Sequence, residues 1–196
     1  MTAPSAVAAP PFGARSFDLA VALGRLRWSV DVLGGDRIPS EGPGVLVVNR
    51  RFGVSEPGVV AVGVRGASGR RVRIAGLPDL LLEAGPLRRL GFVLDHPAEL
   101  GALLDAAQLV VVPLGRELVH ADLAGQLASR YVSPALERGV PVLPVAAIGS
   151  ELGRHWRLVV GSPVVPPGRR TVGRAVVFAD AVRDAVGRLL APEVGV

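Results

Sequence analysis

The sequence predicts an α/β fold with a largely parallel central sheet flanked by helices, and three observations carry the prediction. Short runs rich in Val, Leu and Ile recur along the chain, apolar throughout rather than alternating, as strands buried on both faces are. Segments with helical spacing lie between those runs, giving a βαβα order. With 196 residues, 49% of them hydrophobic and 20% charged, the chain is long enough for one sizeable core and short for two. The expected organisation is a flexible leader over 1–15, one α/β domain over 16–191 and a short tail over 192–196.

Taken in order, Phe17, Ala20, Val21, Gly24 and Trp28 recur at helical spacing, with Leu19, Leu23 and Leu26 widening the apolar face, so a helix is expected over 17–30. A helix this apolar either packs under the domain or lies in a membrane interface with Arg15, Arg25 and Arg27 reaching head groups; packing is the preferred reading. Gly34-Gly35 and the turn from Pro39 to Pro43 interrupt the chain before the first core strand, Val45-Leu46-Val47-Val48. Further strands are expected over 72–75, 92–94, 109–112 and 142–148, with another over 158–160. Helices are expected over 77–90, broken at Gly85-Pro86; over 97–107, with Pro97 suited to a first turn; and over 132–138, stopped by Gly139. A last helix buries Val172, Val176, Ala179, Val182, Val186 and Leu189 and leaves Arg174, Arg183 and Asp184 outside.

Composition narrows the function classes. The longest apolar runs, such as Val59 to Val62 and Leu109 to Leu114, fall far short of the roughly 18 residues a membrane span requires. The first eleven residues have no basic segment leading into a long apolar one, which suits a cytoplasmic leader better than a secretory signal. With no Cys, thiolate chemistry and Cys-based zinc sites drop out, and no metal site or bound cofactor is expected. All 22 basic residues are Arg, and the net charge of +5 suits an anionic partner, nucleic acid or acidic lipid. Nucleic acid is the weaker of the two, because aromatics make up only 4% and no helix face interleaves them with Arg. No strand leads into a Gly-x-Gly-x-x-Gly turn or a Walker loop, so a nucleotide site has no support.

Four blocks in order carry more specific information. The first runs from Val32 through Gly34-Gly35-Asp36-Arg37-Ile38-Pro39 and a hydrophobic strand to Asn49, Arg50 and Ser55. The second is Gly85-Pro86-Leu87-Arg88-Arg89-Leu90-Gly91-Phe92-Val93-Leu94-Asp95-His96, and the third Val110-Val111-Val112-Pro113-Leu114-Gly115-Arg116-Glu117. The fourth is Ala135-Leu136-Glu137-Arg138-Gly139-Val140-Pro141-Val142-Leu143-Pro144-Val145. Together they resemble the lysophospholipid acyltransferases of the 1-acylglycerol-3-phosphate type, a glycerolipid acyltransferase-like pattern spanning 30–164. The fourth block, a helix and strand, matches best; in the third only Pro113 and Gly115 match the family's Phe-Pro-Glu-Gly-Thr-Arg.

The resemblance implies a fold and a chemistry. In that family Asn is followed by a His that deprotonates the acceptor hydroxyl and, four residues further, by an Asp that orients the imidazole. Here those positions hold Arg50 and Ser55. A guanidinium stays protonated and cannot act as a general base, and a Ser supplies no orienting charge. The resemblance therefore implies a protein with impaired or absent acyl transfer that retains an acyl-chain cleft or a surface for a membrane-associated protein partner. The alternative is an active enzyme, with acyl-CoA or acyl carrier protein as donor and a displaced base, Glu56 or His96. For Glu56 the plain alternative is a first-turn helix residue, and for His96 and the pair His120 and Asp122 it is a solvated loop. His96 stands where the family has an Arg for the acceptor's phosphate. Arg50, Arg51 and Arg116, with His96 and Gly115, are candidates for holding a phosphate or carboxylate. The expected location is cytoplasmic, or peripheral on the inner face of the cell membrane through the N-terminal helix.

Overall fold

The computed structural model describes residues 12–49, 55–77, 85–94, 96–114, 127, 129–166 and 173–191. Its centre is β2 (Gly44–Val48), whose five residues are all buried. Valine and leucine fill it because both faces are covered: Val45 and Val47 point to one layer of helices, Leu46 and Val48 to the other. On either side of β2 lie β5 (Leu109–Pro113) and β6 (Val142–Gly149), both parallel to it. The other strands are β1 (Ser29–Leu33), β3 (Val72–Leu77), β4 (Phe92–Leu94) and β7 (His155–Val160). The full sheet has seven strands in the order β1-β7-β6-β2-β5-β3-β4. Every pairing is parallel except β6 with β7, where a short turn replaces the helical crossover that a parallel pair requires.

Helices α1 (Ala14–Arg27) and α2 (Glu56–Ser68) cover one face, packing Phe17, Val21, Val59, Val60 and Val64 on Leu46, Ile74, Val111 and Leu158. Helices α4 (Pro97–Asp105), α5 (Ser129–Arg138) and α6 (Arg174–Leu190) cover the other, around Leu103, Val132, Phe178 and Val182. A short α3 (Gly85–Arg89) leads into β4. On β3, Arg73 is buried; desolvation lowers its guanidinium to about 10, against the pull of Glu99 and with the repulsion of Arg88. Glu99 in turn accepts from Arg88 Nη1 at 3.3 Å and from the Leu94 N–H at 3.2 Å, so the buried charges are grouped rather than isolated.

The α/β architecture and the strands over 45–48, 109–112 and 142–148 agree with the expectation from sequence. Several elements differ. Instead of a helix to residue 30, α1 stops at Arg27 and β1 follows, with Val30 and Val32 turned toward α2 while Ser29, Asp31 and Leu33 are exposed. That period of two is a strand signal too short to compete with the adjoining helical pattern. The helix α1 packs through Phe17, Val21 and Gly24, but Leu19, Leu23 and Leu26 remain in solvent, so packing accounts for only part of its apolar surface.

Helix α2 corrects the treatment of Val59 to Val62 as a mere apolar run. Its valines and glycines are weak helix formers, and the helix exists because burial against β1 and β7 overrides propensity. Gly63 makes the approach possible: a Cβ there would lie 2.4 Å from Leu158 Cδ1 and 3.0 Å from Val30 Cγ1. Gly85-Pro86 opens α3 instead of breaking a longer helix, since proline lacks only an N–H that a first turn leaves unpaired; residues 78–84 of that expected helix lie outside the described residues. In α6 Ala179, Val182 and Val186 are buried as expected and Leu189 packs against the core, but Phe178 joins that face while Val176 is 55% exposed. Val172 lies outside the described residues. No helix among the described residues is long and apolar enough to cross a membrane.

Candidate functional site

A parallel sheet leaves a crevice at the carboxyl ends of its strands where the chain departs to opposite sides of one strand. Here that strand is β2: β6 lies on one side, and β5, β3 and β4 on the other. A cleft of about 80 Å³ opens at this edge. Its apolar lining includes Val48, Val60, Ile74, Ala75, Phe92, Val111 and Pro113, and its polar lining is Asn49 and Glu56. The start of α2 forms one rim. Such a lining, apolar with a few convergent polar groups, suits an apolar ligand with a polar end.

Asn49 is 1% exposed and its amide is fully engaged with one residue of β6: Nδ2 donates to the Ala147 carbonyl at 3.0 Å and Oδ1 accepts the Ala147 N–H at 2.6 Å. The side chain thereby continues the β2–β6 ladder one step after the backbone of β2 has turned away. Asn49 is a structural clamp at the cleft's edge.

Ser55 caps α2 without a hydrogen bond from its own side chain to the helix. Instead, Glu151 reaches in from the β6–β7 turn: its Oε1 accepts the Ser55 backbone N–H at 3.0 Å and the Ser55 hydroxyl at 2.7 Å. A carboxylate at a helix N-terminus is favoured by the dipole and by the unpaired amides there. A negative charge is thus present at the start of α2, supplied by a residue 96 positions away. Glu56, the first residue of α2, is buried and lines the cleft, so it is both a first-turn carboxylate and a group facing the ligand space.

The structure brings together some of the residues that the sequence singles out. Ser55 and Glu56 meet at the rim, beside Asn49. Strands β2 and β5 end side by side, with Val48 opposite Pro113 and the Leu114 N–H donating to the Val48 carbonyl at 2.8 Å, so the first and third sequence blocks share one edge. Arg50, Arg51, Gly115 and Arg116, with Asp95, His120 and Asp122, lie outside the described residues. His96 is exposed, caps α4 by accepting the Ala98 N–H on Nδ1 at 3.2 Å, and is not part of the cleft lining. His155 lies exposed on β7. Glu151 escapes sequence reasoning entirely, because nothing near it in the chain marks it.

Neither the protein-family models nor the curated proteins searched match this sequence. Among solved structures, the chain is similar to the crystal structure of the 1-acyl-sn-glycerophosphate (LPA) acyltransferase PlsC from Thermotoga maritima. The TM-score is 0.59 and the identity 21%, covering 89% of this chain and 80% of that one. The fold is the PlsC acyltransferase fold. At that identity the likeness extends to architecture alone, and one architecture hosts many chemistries. At the start of α2 in this chain stand a serine and a glutamate contributed by the β6–β7 turn, beside a cleft lined largely by apolar residues.

Proposed function

We propose that this protein uses a glycerolipid acyltransferase-like scaffold to bind an acyl chain or lipid at the β2–α2 cleft, with acyl transfer impaired or absent. The observation that carries the reading is the Ser55–Glu151 pair. Where the resembled motif needs a carboxylate free to orient an imidazole, the carboxylate here is already committed to the helix amide and the Ser55 hydroxyl. The preceding motif position is Arg50, a residue type that cannot accept a proton near neutral pH. The apolar cleft lining supports retained binding of a hydrocarbon chain.

A second reading is favoured by one observation, the buried Glu56 in the cleft lining. A carboxylate so placed could serve as a displaced base in transfer from acyl-CoA or acyl carrier protein to a lysophospholipid. Release of free CoA from acyl-CoA in the presence of lysophosphatidate separates the two. Silence, together with saturable binding of a fluorescent fatty acid that a bulky Ala75→Phe substitution abolishes, supports the first. Turnover that Glu56→Gln removes overturns it in favour of the second.

A further inference from the structure

The outer face of α1 does not resemble an ordinary solvated helix face. Leu19, Leu23 and Leu26 follow one another at spacings of four and three and are each more than half exposed, while Phe17, Val21 and Gly24 pack inward on the opposite side. The β6–β7 turn is clasped to the same end of this helix. Arg27 donates from Nη1 to the Gly153 carbonyl at 3.0 Å and from Nη2 to the Leu152 carbonyl at 3.1 Å, and Arg154 donates from Nη2 to the Leu26 carbonyl at 3.0 Å. The crossed bonds hold Leu152, which is 90% exposed, within an arginine's reach of Leu26. Four of the eight exposed large hydrophobics among the described residues thus gather on these two neighbouring elements.

Charge selects the occupant. The other exposed residues of α1 are Arg15, Ala20, Ala22, Arg25 and Arg27, and none is acidic. The helix's one carboxylate, Asp18, is paired with Arg65 at 3.4 Å and Arg71 at 2.6 Å. With Arg154 on the turn, the leucines are flanked by cations on α1's exposed side and at the clasp, where the one neighbouring carboxylate, Glu151, is bonded to Ser55. A partner whose surface is both apolar and anionic matches this combination, and the headgroup and acyl boundary of an acidic bilayer is such a surface.

We propose that the outer face of α1 and the β6–β7 turn together form a docking surface for an anionic lipid bilayer, with Leu152 as the tip that enters the acyl boundary. The turn links this surface to the cleft. Glu151, next to Leu152, holds the Ser55 end of α2, which forms the cleft's rim. Docking therefore sets the cleft near the lipid surface. Docking does not depend on what the cleft binds, so a silent or an active cleft leaves this inference intact.

The test is flotation of the full chain with phosphatidylcholine vesicles, with and without about 20% phosphatidylglycerol. The expected result is co-flotation that needs the anionic lipid and weakens with salt. Leu23→Ser and Leu152→Ser should each lower partitioning about tenfold, as loss of a leucine's transfer into the boundary implies. Val176→Ser, an equally exposed position on α6, should leave partitioning unchanged. Melting curves and light scattering on the same samples confirm that each variant is folded and report its mass. No flotation with anionic vesicles at low salt overturns the proposal, as does flotation indifferent to Leu152→Ser. A dimer that Leu23→Ser converts to monomer, without vesicle binding, identifies a second copy of the chain as the occupant and also overturns it.

Discussion

Replacing Ser55 with Asp restores the residue type that the acyltransferase resemblance expects, and the structure determines what the new side chain meets. Ser55 Oγ lies 2.7 Å from Glu151 Oε1 and donates to it. An Asp carboxylate has no proton to give and brings a second negative charge to about 4 Å from the first, where two unit charges repel by about 4 kcal/mol at an effective dielectric of about 20. Partial exposure of the pair reduces that to about 2 kcal/mol, and loss of the charge-assisted hydrogen bond adds about 2 kcal/mol. A total near 4 kcal/mol lowers the Tm of a chain this size by about 8–16 °C. The like charge raises the folded-state pKa of the carboxyl pair above its unfolded value, so the fold binds more protons than the unfolded chain, and stability recovers as pH falls. Thermal melts of Ser55→Asp between about pH 8 and pH 5 should show a deficit that is full at the alkaline end and shrinks on acidification. Adding Glu151→Gln to the same variant should remove most of the deficit at the alkaline end. A Ser55→Asp protein that melts like the parent near pH 8, or a deficit unaffected by pH and by Glu151→Gln, would refute the reasoning. If it holds, installing the full motif as Arg50→His with Ser55→Asp should give detectable CoA release only when Glu151→Gln accompanies it.

Three further substitutions probe the supports of the fold. Asn49→Ala leaves the buried Ala147 N–H and carbonyl without their side-chain partner and should cost about 2–4 kcal/mol in urea unfolding, with an unchanged slope. Gly63→Ala drives a methyl group to 2.4 Å from Leu158 Cδ1 and should destabilise by about 1–3 kcal/mol despite alanine's better helix propensity; a stabilised variant would show that α2 is not held close to β7. The two-pronged bond from Arg138 Nε and Nη2 holds the Asp105 carboxyl below its ordinary value of 3.8. That depressed pKa means the pair's contribution is present above the ordinary carboxylate range and is lost as pH falls through the lowered value. The Tm difference between the parent and Asp105→Asn should accordingly be measurable at neutral pH and vanish in strong acid.

The local code of this chain is clear wherever a segment is buried by its own composition. Val45 to Val48 and Leu109 to Val112 read as strands because each is apolar at every position, as a strand covered on both faces is. Pro97 and Gly139, which has φ +64°, mark a helix start and a helix end through backbone preferences that need no tertiary partner. The plain alternative for Glu56, a first-turn helix residue, agrees with its place as the first residue of α2.

Other features exist only once the sheet has formed. β1 reads as the tail of a helix until β7 offers it a ladder, and α2, rich in valine and glycine, becomes a helix because Gly63 lets it seat on Leu158 and Val30. Val176 fits a helical stripe on paper, but the rotation of α6 is set by Phe178 finding the core. The Ser55–Glu151 contact is the sharpest case. The sequence alone determined that Arg50 and Ser55 stand where the resemblance implies a base and a carboxylate, because residue identity is local. That a carboxylate nonetheless stands at the start of α2 was decided by the antiparallel β6–β7 return, because contacts between residues 96 positions apart are fixed by topology rather than by any pattern along the chain.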